Sequence, residues 1–102
     1  MTQGRARILV EGLVQGVGFR AWVAREAMRR GLGGWVRNRR TGAVEAMFLG
    51  AEPVVAEMVE VCRRGPPAAR VDALYSIDEF DIASDAFCGD VKFRDFEVRD
   101  TV

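Results

Sequence analysis

The amino-acid sequence predicts an α+β domain of order β-α-β-β-α-β, an antiparallel sheet with two helices on one face. Three observations carry this reading. Short aliphatic, β-branched runs end at glycine; two glycine-free stretches hold apolar residues at helical spacing; and the two kinds of segment follow one another in that order. At 102 residues, 49% hydrophobic and 29% charged, the chain has ordinary globular composition and reads as one domain, 1–102.

Ile8, Leu9 and Val10 mark a first strand over residues 5–12, which Gly12 ends. Arg20 to Arg30 contains no glycine or proline, and Val23, Ala27 and Met28 fall on one helical face. Arg29 and Arg30 occupy its last turn and Gly31 stops it. Trp35 to Asn38 forms a second strand, Arg39 to Gly42 a turn, and Ala43 to Leu49 a third strand closed by Gly50, together a hairpin. Glu52-Pro53 opens a second helix, with proline at the first helical position. Val54, Met58, Val61 and Cys62 line its apolar face, and Arg63, Arg64 and Gly65 mark its end. Pro66-Pro67 bars continuation. Residues 70–80, with Val71, Tyr75 and Ile77 alternating, form a fourth strand. Residues 81–90 read as an acidic surface loop, and 92–98 as an additional C-terminal strand.

Composition excludes several function classes. Fifteen basic residues balance fifteen acidic ones, so no strong field draws nucleic acid or an anionic membrane. There is no histidine, which removes the commonest general base and the commonest zinc ligand. Cys62 and Cys88 lack CxxC spacing, and read as a buried helix residue and a loop thiol. No metal and no cofactor is expected. Without an apolar leader or a run of membrane-spanning length, the chain reads as soluble and cytoplasmic.

The segment that carries chemistry is Gly12-Leu13-Val14-Gln15-Gly16-Val17-Gly18-Phe19-Arg20, between the first strand and the first helix. Glycines let successive N–H groups turn toward one centre, and the helix adds its unpaired N–H groups and positive dipole end. An anion of phosphate size fits such a cradle, and the Arg20 guanidinium can fold over it with paired hydrogen bonds. Neither GxxxxGK[ST] nor GxGxxG is matched, which disfavours a nucleotide loop. On the residues alone, a tight strand-to-helix connection and an anion cradle stand nearly level. Arginine at a helix start, which the dipole disfavours, tilts the balance toward an anion.

GLVQGVGFR resembles the acylphosphatase signature GxVQGVxFR, and Gly34-Trp35-Val36-Arg37-Asn38 resembles that family's second block at matching spacing. The likeness covers roughly residues 5–80. It implies a ferredoxin-like α/β sandwich and an enzyme that hydrolyses the carboxyl–phosphate bond of small acyl phosphates without metal. Backbone amides of Gln15, Gly16, Val17, Gly18, Phe19 and Arg20 would cradle the phosphoryl group, a place inorganic phosphate or sulfate could also occupy. The Arg20 side chain would clamp it, and Asn38 would hold the attacking water. By position alone Asn38 more readily starts a turn. Arg37, Arg39 and Arg40 read as a solvated hairpin face, and Trp35 and Phe19 as core. Two alternatives remain: an acylphosphatase-like module of a carbamoyltransferase, and a non-catalytic phosphate-binding module.

Overall fold

A computed structural model describes residues 3–77 and 96–102. The elements run β1 (Gln3–Leu13), α1 (Phe19–Arg29), β2 (Gly33–Asn38), β3 (Val44–Ala51), α2 (Glu52–Arg64), β4 (Arg70–Ser76) and β5 (Phe96–Arg99). The expected loop 81–90, Cys88, and the ends 78–80 and 92–95 of two expected strands lie outside the described residues. The five strands form one sheet in the order β4-β1-β3-β2-β5, with both helices on one face.

The expected order of elements is present, with one correction: the sheet is mixed. β1, β2, β3 and β4 are joined by antiparallel pairings, whereas β5 runs parallel to β2, with Arg37 opposite Arg99. Geometry explains this. β4 runs opposite to β1 and finishes at the end of the sheet where β1 and β2 begin, and β5 starts from that same end on the far edge.

Alternation sorts the strand residues. Ile8, Val10, Val36, Val44, Ala46 and Phe48 face the helices and meet Phe19, Val23, Ala27, Val55, Met58 and Cys62 in the main core. α1 buries Val23 and Ala27 as expected, but Met28 lies just off that stripe and is 54% exposed. In α2 the expected Met58, Val61 and Cys62 are buried, and Val55 takes the deep position expected for its neighbour Val54.

The fourth strand breaks its alternation. Glu11 pairs with Ala73 but Gly12 pairs with Val71, leaving Asp72 as the extra residue of a bulge. That half-step puts Val71 and Leu74 on the core side and leaves Tyr75 exposed, against the expected Val71–Tyr75 face. The backbones come so close here that a Cβ on Gly12 would meet the Arg70 carbonyl.

Candidate active site

The loop between β1 and α1 is pinned from within. Val14 and Phe19 are each 1% exposed and sit in the main core, and Val17 packs against it. Between these anchors Gly16 and Gly18 take left-handed φ values of 76° and 78°, with open space where a Cβ would project. Left-handed glycines between valines that pack on the core are a conformation in which successive N–H groups can turn toward one centre. Among the described residues, no N–H from Gln15 to Gly18 donates to another protein group.

The helix that follows begins without a cap. Gly18 occupies its N-cap position, no side chain bonds the first amides, and the first turn holds no acidic residue. The N–H groups there are thus left for an external acceptor, and the dipole favours an anion. Arg20 is the second residue of α1. Its Nη1 donates to the Arg99 carbonyl oxygen of β5 at 2.9 Å, the one hydrogen bond its side chain makes among the described residues. A guanidinium carries five N–H donors, so the others are left without a protein acceptor among the described residues.

Asn38 ends β2 and reaches the same place by alternation. Val36 points to the helix face, Arg37 to the other, and Asn38 to the helix face again. Arg99 lies opposite Arg37, so the carbonyl that anchors Arg20 sits one register step from Asn38. Beyond β5 the pairing continues, with the Val102 N–H donating to the Asn38 carbonyl at 3.0 Å. The Asn38 carboxamide itself has no hydrogen-bond partner among the described residues, and its Oδ1 is buried. A half-turn of the terminal amide exchanges Oδ1 and Nδ2 at little steric cost. Loop, arginine and asparagine therefore meet at one end of the sheet.

The acylphosphatase family model matches residues 6–97 of this chain. The chain belongs to the acylphosphatase family. It is 54% identical over 76 residues to an acylphosphatase of Bradyrhizobium diazoefficiens, covering 74% of this chain and 77% of that one. Over 68 residues it is 62% identical to an acylphosphatase of Nitrobacter hamburgensis, covering 67% and 69%. The fold superposes on the crystal structure of Bacillus subtilis acylphosphatase with a TM-score of 0.77, at 33% identity, covering 96% and 99% of the two chains. The expected ferredoxin-like sandwich and the expected acylphosphatase are thus both met.

In this acylphosphatase Arg40 is exposed as expected and Arg39 partly so, but Arg37 differs from the expectation. Arg37 is 7% exposed, not solvated, and its Nε donates to Glu45 Oε1 at 2.9 Å. Arg39 Nη1 reaches the same oxygen at 2.9 Å, and Arg7 Nε reaches Oε2 at 2.7 Å. All lie on the sheet face away from the helices, because Arg37 pairs in register with Glu45. Burial pushes the Glu45 carboxyl up, but the hydrogen bonds from Arg39, Arg7 and Arg37 outweigh it and hold the group below its ordinary 4.5. Trp35 is buried as expected, yet on this second face, with the guanidiniums of Arg37, Arg99 and Arg7 at 4.6, 5.3 and 5.6 Å from its ring. Sequence reasoning missed this cluster. The available signal was strand alternation, which puts every second residue of β2 opposite Asn38's face.

Cys62 is buried in the main core, and burial pushes its thiol up to about 12, so it is inert at neutral pH. No group of three or more carboxylate or cysteine residues is placed to hold a metal ion among the described residues. No described helix is long and apolar enough to cross a membrane.

Proposed function

We propose that this chain hydrolyses the carboxyl–phosphate bond of small acyl phosphates by direct attack of water, at the cradle of Gln15 to Arg20. The supporting observation is the convergence of unpaired loop amides, a singly anchored Arg20 and an unpaired Asn38 carboxamide at one end of the sheet. The amides and Arg20 hold the phosphoryl oxygens, where charge grows in the transition state. Asn38 orients the attacking water, and the substrate's own phosphate accepts its proton. The leaving carboxylate has a conjugate acid of pKa near ~4, so it departs without a general acid. The missing histidine is then no obstacle, and no metal is called for. Inorganic phosphate, the product, and sulfate fit the same cradle. A cytoplasmic location completes the reading, in keeping with a free Cys62.

The test is benzoyl phosphate hydrolysis in EDTA by the wild type, Arg20→Ala and Asn38→Ala. Turnover is expected in the wild type. Asn38→Ala should lose ~10²–10³-fold in kcat with little change in KM, and Arg20→Ala should lose both kcat and affinity. A wild type that is inactive in EDTA, or an Asn38→Ala enzyme with full turnover, would overturn the assignment.

A further inference from the structure

The Gln15 side chain does not turn toward the cradle that its backbone helps to form. Its Nε2 donates to the Arg39 carbonyl at 2.6 Å and to the Ala43 carbonyl at 2.8 Å. A carboxamide nitrogen has two protons, and both are used. The acceptors are the two sides of the turn that follows Asn38. That turn is closed by Arg39 N–H to Ala43 O at 2.8 Å and by Gly42 N–H to Arg39 O at 3.0 Å. Each of these carbonyls therefore accepts one bond from the turn and one from Gln15.

One residue thus belongs to both halves of the site. The main chain of Gln15 opens the amide cradle, and its side chain grips the carbonyl of Arg39, the residue immediately after Asn38. The covalent path between Gln15 and Asn38 is long, running through the whole of α1. The amide crosses that gap directly, spanning 24 residues to Arg39 and 28 to Ala43. In-line attack is sensitive to the spacing of water and phosphorus, and a misplacement of about 1 Å costs on the order of 10²-fold.

We propose that Gln15 is a positioning residue: its carboxamide sets the distance between the phosphate cradle and Asn38, and so acts on turnover through Asn38. This rests on the assignment of Asn38 to the attacking water. Gln15→Met keeps the length of the side chain and removes both donors. Its backbone amide and Arg20 remain, so phosphate binding is retained.

The experiment is a double-mutant cycle of Gln15→Met with Asn38→Ala, following benzoyl phosphate hydrolysis and competitive inhibition by inorganic phosphate. In the wild-type background kcat is expected to fall about 10- to 100-fold, with the phosphate inhibition constant shifted less than about 3-fold. In the Asn38→Ala background the same substitution is expected to cost less than about 2-fold. Full kcat in Gln15→Met, an undiminished loss beside Asn38→Ala, or phosphate affinity falling in step with kcat would each overturn the proposal. If Gln15→Met does not fold, Gln15→Asn, whose amide is one methylene too short, enters the cycle with the same expectations. An inactive wild type or a fully active Asn38→Ala enzyme instead defeats the functional assignment itself, which separates the two failures.

Discussion

Glu45 shows how one residue can hold two strands and a turn in place. It is 1% exposed, and its two oxygens take hydrogen bonds from Arg7 on β1, Arg37 on β2 and Arg39 in the turn. Removing the charge from such a cluster leaves buried guanidiniums without their counter-ion. Glu45→Gln is expected to destabilise the protein by roughly 3 kcal/mol at neutral pH, measured by urea unfolding. Its folded pKa lies below the ordinary 4.5. The stabilisation is therefore fully present above about pH 4.5 and is lost as pH falls through the folded value. The wild type should lose stability on acidification over that range, and Glu45→Gln should lose correspondingly less. A variant with the same acid slope as the wild type would show that other carboxylates, such as the Arg30-bonded Glu26, dominate it.

At the scale of elements, α2 offers a direct test of local rules. Its N-cap is Ala51, in extended conformation (φ −61°, ψ 132°), with no side-chain bond to the first helical amides. Serine in that conformation accepts from those amides and typically adds ~1 kcal/mol. Ala51→Ser is expected to raise Tm by roughly 4–8 °C and leave kcat unchanged, because the position lies at the end of β3 remote from Asn38. The start of α1 is also uncapped, and there the proposed function assigns the open amides to the substrate's phosphate.

Elements were legible where their cause is local. Glycine at 31 and 65, and the arginines before them, marked both helix ends, and Trp35 to Asn38 marked a strand that begins two residues earlier. The Gly16 and Gly18 conformations and the place of Arg20 beside them were likewise readable from the loop itself. What escaped depends on partners distant in sequence. The Gln15 side chain finds its acceptors 24 and 28 residues away, Arg7 finds Glu45 38 away, and the phase of β4 depends on a bulge against β1. The parallel setting of β5 is likewise a property of the sheet, visible in no single segment.

At the scale of the whole molecule, site and fold are thermodynamically linked. An anion that binds only the folded cradle stabilises the protein by about 2.7 kcal/mol at 100 times its dissociation constant. Phosphate should therefore raise Tm progressively in a thermal-shift titration, and much less in Arg20→Ala. Equal shifts in both proteins, or none in either, would remove the anion from the account of this loop.

Arg20 leans on the Arg99 carbonyl, a residue 79 positions later in the chain. During synthesis, at about 5–20 residues per second, that support emerges about 4–16 s after the arginine itself. Closing a contact of such long range is also a late and slow event in folding. The loop finds its own supports sooner, in the Arg39 and Ala43 carbonyls and the core of β3 and α2, but Arg20 lacks its brace until the far edge of the sheet is laid down. Order of manufacture therefore bears on order of assembly: the loop and Arg20 are made first, and the carbonyl that braces Arg20 is made last.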